Sequence, residues 1–170
     1  FICPQAYPLF ANQPNAIIGG SEVQIYLLSR ELANNPSLDV TVITTDYGQS
    51  STERFDRVTV RKSFPFFRSR NPIKRKLIKI VSLMKFLYAI EATDAQLYVQ
   101  RALNPVSGLL AFYFKFRKKR FVYMAASDYE VDDRYKQDKG WLSALFANLV
   151  FRFAHLVIVQ NSYQRDHIFR

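Results

Sequence analysis

The feature that most constrains this chain is the alternation of short apolar, β-branched runs with longer segments of helical periodicity. Runs of strand length lie at 40–45, 94–100, 120–124 and 156–159. Segments with helical spacing lie at 21–33, 72–90, 105–116 and 141–153. Strands that are apolar on both faces and alternate with helices form parallel sheets. We therefore predict an α/β fold, a Rossmann-like parallel sheet with helices on both faces.

A capping box predicts where the first long helix begins. In Ser21-Glu22-Val23-Gln24, the Ser21 hydroxyl would accept a hydrogen bond from the amide of Gln24, whose side chain would reach back. The helix carries apolar residues around much of its circumference, so we expect it to be largely buried. Ser162 is expected to cap the last helix of the chain in the same way.

The chain has 170 residues, 49% of them apolar, so we expect residues 1–170 to form a single domain. The single cysteine excludes a disulfide framework, and Cys3 lies in an apolar run that predicts a buried thiol in a reducing cytosol. No apolar run reaches the length of about 18 residues that predicts a transmembrane helix. Phe1 is not an initiator residue and the charged end at 166–170 stops inside a predicted helix, so we expect a longer protein.

The net charge of +10 is concentrated in one stretch of the sequence. The stretch from Arg57 to Ile90 contains ten Lys and Arg residues and no Asp or Glu, and the rest of the chain has no net charge. A local excess of positive charge indicates an anionic partner or a well-solvated face.

The predicted helix at 72–90 carries part of this charge and has two interpretations. In the first, its apolar residues Leu77, Ile80, Val81 and Met84 face the sheet while the cations are solvated. In the second, the aromatic rings of the preceding segment 64–67 lie at an anionic membrane surface and the cations contact the lipid headgroups. The cations that would form this membrane or anion surface are Arg68, Arg70, Lys74, Arg75, Lys76 and Lys79. A basic nucleic-acid-binding module is a further alternative, but no recognition-helix, RRM or KH signature occurs, so nucleic acid is not the partner we expect.

A pair of glycines precedes the first long helix. Gly19-Gly20-Ser21 stands where a loop meets a helix N-terminus, at which free amides and the positive end of the dipole favour a phosphate. Two glycines let the backbone approach a ligand closely. The pattern matches neither the dinucleotide fingerprint nor the P-loop, and an ordinary turn is the alternative.

Ser127 and Asp128 follow the predicted strand at 120–124, and ligands of parallel sheets bind at the carboxyl ends of strands. They are our candidate catalytic residues, the alternative being a turn with a helix cap. The acidic run of Asp128, Glu130, Asp132 and Asp133 lacks the spacing of an EF-hand and predicts a solvated loop. His155 and His167 have no nearby partner ligand, so no metal is expected.

Several segments resemble the N-terminal half of family 4 glycosyltransferases of the GT-B type. They are Tyr7-Pro8 in the first loop, Gly19-Gly20-Ser21-Glu22, the helix segment 27–33 and the strand at 40–44. The segment 154–162 is similar to the family's last strand of this domain, with His155 where an aspartate is usual.

The resemblance implies retaining transfer of a sugar from a nucleotide diphosphate sugar to an acceptor, with Gly19 and Gly20 beside the donor diphosphate. This half would hold the acceptor, a sugar, a lipid-linked molecule or another compound. A C-terminal domain that is absent from this sequence would hold the nucleotide. Besides the donor no cofactor is implied, and this half alone is expected to be inactive. From the reduced cysteine and the basic segment we expect a cytoplasmic location, peripheral on the inner face of the membrane.

One departure from the family pattern affects the candidate site. The family has a histidine after the strand matched by 121–124, whereas this sequence has Ala125-Ala126-Ser127-Asp128. Ser127 or Asp128 would then supply the polar group at this position. A non-catalytic Rossmann-like interaction domain is the alternative function.

Overall fold

Parallel strand pairing dominates the computed structural model, which describes residues 1–14, 16, 18–65, 72–104 and 106–168. The architecture is mixed α/β, with two three-stranded sheets in two compact units, Phe1–Ala95 and Gln96–Arg170. The first sheet has the order β1-β3-β2 and the second the order β4-β5-β6. The predicted α/β class is therefore confirmed.

The first unit combines a parallel strand pair with an antiparallel edge strand. Its elements are α1 (Tyr7–Phe10), α2 (Gly20–Ala33), β1 (Val40–Asp46), β2 (Thr52–Phe55), β3 (Val58–Pro65) and α3 (Pro72–Thr93). β1 runs parallel to β3 with Val40 opposite Val58, and β2 runs antiparallel to β3. The first residues of the chain add a parallel bridge between Ile2 and Ile43.

The core of the first unit lies between α2 and the sheet. Val42, Val58 and Val60 contribute apolar side chains from the strands, and α2 contributes Ile25 and Ala33. The cluster also contains Cys3, Ala6, Tyr7, Phe10 and Val40. Cys3 is 5% exposed, as predicted for a buried thiol. α3 packs on β3 and β1.

The second unit contains an all-parallel sheet whose strands follow chain order. Its elements are β4 (Leu97–Arg101), α4 (Ser107–Phe116), β5 (Arg120–Met124), α5 (Asp133–Lys139), α6 (Trp141–Phe153), β6 (Leu156–Ile158) and α7 (Ser162–Ile168), with a 3₁₀ turn at Asp128–Glu130. Leu97 pairs with Arg120, and Val122 pairs with Leu156. This arrangement brings the carboxyl ends of β4, β5 and β6 to one edge.

Stacked aromatic rings hold α4 against the second sheet. Phe114 stacks on Tyr98 at a centroid distance of 4.4 Å and on Phe121 at 5.1 Å, and all three rings are buried. α4 also packs closely on α6, where Gly108 lies against the backbone of Phe146.

No helix among the described residues is long and apolar enough to cross a bilayer.

Predictions about the burial of α2, the acidic run and the cap of the last helix are wrong. α2 is not largely buried, because only Ile25, Ser29 and Ala33 are fully shielded and Leu27 is 58% exposed. The acidic run does not form only a solvated loop, since Glu130 is 7% exposed and α5 begins within the run. The last helix is capped by Asn161, whose Oδ1 accepts the Gln164 amide at 2.8 Å, and not by Ser162, which is its first residue.

Candidate functional site

The first candidate position is the turn at the start of α2. Gly19 is the extended residue before the helix and Gly20 is its first residue, and both are exposed. A Cβ placed on Gly20 would meet no atom within 4 Å, so the space above this residue is open. First-turn amides have no acceptor within their own helix, so those of Gly20 and Ser21 are available to an anion.

Glu22 occupies part of this turn. Its Oε2 accepts hydrogen bonds from the Gly19 amide and from the Ser21 hydroxyl, both at 3.0 Å. The predicted capping box of Ser21 and Gln24 is therefore wrong, because the helix begins earlier and Glu22 becomes the third helical residue, from which its side chain reaches back to Gly19. A carboxylate at a helix N-terminus is stabilising, and its negative charge repels an anion bound at the neighbouring amides.

The turn lies at the carboxyl end of the parallel strands of the first unit. Burial raises the pKa of Cys3 to about 12, and the nearby Glu22 carboxylate adds to the rise. Burial also raises the pKa of Tyr47, which follows β1, and Cys3 and Glu22 both contribute to that rise. α2 packs on β1 and ends beside the amino ends of the strands, because Arg57, which precedes β3, donates to the Asn34 carbonyl at 3.2 Å. The first turn of α2 therefore faces the carboxyl ends of the strands, the edge at which parallel sheets bind ligands.

The second candidate position is the loop after β5 in the second unit. Ser127 is exposed, and its side chain caps no backbone amide. Asp128 Oδ1 accepts hydrogen bonds from Asn161 Nδ2 at 3.0 Å and from Gln164 Nε2 at 2.9 Å. These two bonds, the one from Asn161 foremost, lower the pKa of Asp128. Asp128 is thus an ionised acceptor, better suited to bind a hydroxyl than to donate a proton.

A buried glutamate joins two of the strand-end loops of this unit. Glu130 Oε2 accepts from the Tyr123 hydroxyl at 2.7 Å and from the Ala126 amide at 2.8 Å. Its Oε1 accepts from the Leu103 amide, in the loop after β4, at 3.1 Å. Gln160 Nε2 ties the loop after β6 to the same place by donating to the carbonyls of Ala125 and Ala126. The polar groups of this edge are therefore held in one network.

Two polar atoms at this edge have no hydrogen-bond partner among the described residues. They are the Oε1 of Gln100, a residue that is 1% exposed, and the Nε of Arg101. The Arg101 Nη1 donates to the Ala125 carbonyl at 3.2 Å. The carboxyl end of β4 therefore adds a positive charge to the network of Asp128 and Glu130.

The environment of Tyr123 predicts a loss of stability at high pH. Burial raises the pKa of Tyr123, and the Glu130 carboxylate raises it further. Above about pH 10 the unfolded chain releases this proton and the folded chain keeps it, so the free energy of unfolding should fall by about 1.4 kcal/mol per pH unit. We expect Tyr123→Phe to flatten this fall in urea unfolding between pH 8 and 11. Equal slopes for both proteins would contradict the prediction.

Tyr88→Phe is the matched control, since the ring of Tyr88 is 75% exposed.

Some sequence candidates lie beyond what the structure describes. Arg68 and Arg70 lie outside the described residues, and Lys74, Arg75 and Lys76 are in α3 without described side chains. Lys79 is exposed on α3. Within the described part of the chain, no three His, Cys, Asp or Glu side chains gather as metal ligands would.

A surface depression lies elsewhere in the first unit. It measures about 450 Å³ and is lined by residues of α2 and of the start of β3, including Leu27, Arg30 and Val58. Val58 is paired with Val40 at the beginning of β1, so this depression lies at the amino ends of the strands. Open α/β sheets bind ligands at the opposite ends, and we assign no site to it.

Sequence reasoning proposed Ser127 and Asp128 as site residues but missed the residues that position their loop. Asn161 and Gln164 are more than thirty residues away in sequence. Their one recognisable signal is that polar amides directly follow a predicted strand. Nothing in the sequence pattern indicated that Glu130 is buried, because an acidic residue in an acidic run predicts exposure. Comparison with protein-family models and with curated proteins finds no match for this chain.

Proposed function

We propose that the chain is the acceptor-side domain of a retaining GT-B glycosyltransferase that takes a sugar from a nucleotide diphosphate sugar. The observation that carries the proposal is the exposed Gly19-Gly20 turn at the start of α2, with open space above Gly20. A diphosphate is the ligand chemistry that such a turn favours. The resemblance of the same residues to family 4 glycosyltransferases supports a sugar donor.

The amides of the turn would act on the leaving group. In retaining transfer the bond between the anomeric carbon and the diphosphate breaks, an acceptor hydroxyl oxygen bonds to the same face of the sugar, and its proton passes to the departing diphosphate. Negative charge develops on the diphosphate oxygen, and the amides of Gly20 and Ser21 would donate hydrogen bonds to it. Because the helix already holds these donors in place, they need no reorganisation in the transition state.

Asp128 and Ser127 would bind sugar hydroxyl groups. The Asp128 carboxylate keeps its negative charge because Asn161 and Gln164 donate to it, and the Ser127 hydroxyl is exposed. An ionised carboxylate accepts a strong hydrogen bond from a hydroxyl. We therefore propose that both residues orient substrate and that neither acts as a general acid.

The finer fold assignment is part of the same proposal. A Rossmann-like parallel sheet with helices on both faces is supported by the parallel pairing of β1 with β3 and by the chain order of β4, β5 and β6. We further propose a cytoplasmic enzyme whose nucleotide is held by a C-terminal domain.

The test is a thermal-shift panel of UDP- and GDP-sugars on the full-length protein. A ligand that binds only the native state must raise its apparent stability. We expect one nucleotide sugar to raise the melting temperature in a concentration-dependent way. If none does, the non-catalytic interaction domain becomes the better assignment.

A charge placed at Gly20 separates folding from binding. Gly20→Asp adds a negative charge that favours the helix N-terminus, so it should not destabilise the fold. The same charge lies in the open space beside the amides and should weaken nucleotide-sugar binding about tenfold relative to the matched Gly20→Asn. Affinities from the concentration dependence of the thermal shift measure this ratio. Equal affinities for the two variants would contradict the assignment of the diphosphate to this turn.

A substitution of Glu22 tests the same turn with the opposite expected effect on affinity. Glu22→Gln removes the carboxylate that occupies the Gly19 amide, so we expect tighter binding of the nucleotide sugar. Glu31→Gln, near the other end of the same helix, is the control and should leave the affinity unchanged.

A further inference from the structure

α3 exposes one continuous apolar face. Its members recur at the i, i+3, i+4, i+7 and i+11 spacing of a single helix face. They are Leu77, Ile80, Val81, Met84 and Tyr88, here called the α3 stripe, with exposures of 57%, 57%, 48%, 66% and 75%. The sequence interpretation in which these residues face the sheet is therefore wrong.

The opposite face of α3 makes the packing contacts. Phe86, Ala89 and Ile90 are buried, and the Phe86 ring meets Phe64 of β3 edge-on at 5.5 Å. α3 is thus anchored to its sheet without the stripe, which covers no part of the core. Contiguous exposed apolar surface on a folded protein indicates a contact with another molecule or with a membrane.

Positive charge along one border of the stripe indicates the partner. The stripe lies inside the acid-free stretch from Arg57 to Ile90, which ends at Glu91. Lys85 is exposed and stands one helical turn from both Val81 and Tyr88, so it borders the stripe. Lys74 precedes Lys85 by three turns and occupies the same border by helical spacing. An apolar face with a basic border is complementary to an anionic lipid leaflet.

We propose that the α3 stripe docks this protein on an anionic phospholipid surface, with α3 lying in the plane of the interface. Its aliphatic side chains enter the boundary between headgroups and acyl chains, where the Tyr88 ring places its hydroxyl among the headgroups. Lys85, on the border of the stripe, contacts lipid phosphates. This inference does not depend on sugar transfer.

Vesicle co-sedimentation tests the docking surface. We expect the protein to pellet with vesicles of phosphatidylcholine and phosphatidylglycerol, and to pellet far less with phosphatidylcholine alone. The double variant Ile80→Asp, Met84→Asp replaces two exposed side chains and should weaken binding at least about tenfold, since charged groups are costly in the apolar boundary. Lys85→Glu should weaken binding severalfold.

The control variant is Leu27→Asp, because Leu27 is as exposed on α2 as Ile80 is on α3. It should bind the vesicles like the parent protein, and unchanged circular dichroism would confirm that each variant folds. Binding that survives in the double variant would overturn the proposal. So would a dimer in solution that the double variant dissociates, or RNA binding that Lys85→Glu abolishes, because each assigns the surface to another partner.

Discussion

Replacing Gly108 by alanine will lower the free energy of unfolding by about 3 kcal/mol, although alanine is the better helix former. A Cβ on Gly108 would lie 2.2 Å from the carbonyl oxygen of Phe146 and 2.9 Å from its Cα and carbonyl carbon. These are backbone atoms of α6, which no rotamer change can move away. α4 and α6 must therefore separate, which loosens the packing of neighbouring Ala111 and Ala147, both of which are buried.

Urea and thermal unfolding measure this effect. Gly20→Ala is the matched control, because its Cβ meets nothing within 4 Å, and it should leave stability unchanged or raise it slightly. The gain in helix propensity alone would make Gly108→Ala stabilising by about 1 kcal/mol. A stabilised Gly108→Ala protein would show that α4 and α6 do not approach each other at this residue.

Removing the Glu130 side chain should lower the free energy of unfolding by a similar amount. Glu130→Ala leaves the Tyr123 hydroxyl and the amides of Leu103 and Ala126 without their acceptor. Each unsatisfied buried donor costs about 1–3 kcal/mol, and the loss of a buried charge offsets part of the sum, so we expect a net loss of about 4 kcal/mol. Urea unfolding measures the loss, and amide hydrogen exchange should accelerate at Leu103 and Ala126.

Glu130→Gln provides a graded comparison. The amide oxygen can replace Oε2, but the amide nitrogen then faces the Leu103 amide, so we expect a smaller loss of about 1–2 kcal/mol. Glu31→Ala, at an exposed position on α2, should change stability by less than about 0.5 kcal/mol. If Glu130→Ala were as stable as the parent, the network at the carboxyl edge of the second sheet would not hold the loops together.

Local patterns along the chain predicted most of the helices and strands correctly. β5 (Arg120–Met124) and α6 (Trp141–Phe153) begin and end as expected, and α3 begins at Pro72. These elements are strongly apolar and bounded by turn residues, so local preference and burial act in the same direction. β2, α1 and α5 were missed because they are short and polar or lie in a proline-containing loop.

The two faces of α3 illustrate what periodicity leaves open. Leu77 and Met84 lie on one face and Phe86 and Ile90 on the other, and both faces are apolar. Periodicity identifies a helix, but burial depends on which face meets a partner element. The contact of Phe86 with Phe64 of β3 selects the second face and leaves the first exposed.

The sequence alone determined the α/β class, the buried thiol of Cys3, the local concentration of positive charge and the position of Ser127 and Asp128 after a strand. These properties follow from composition and from neighbours along the chain. Only the tertiary structure decided that Glu22 caps Gly19, that Glu130 is buried and that Asn161 and Gln164 hold Asp128. Such choices depend on which distant donors and acceptors folding brings within about 3 Å, and local preference does not encode them.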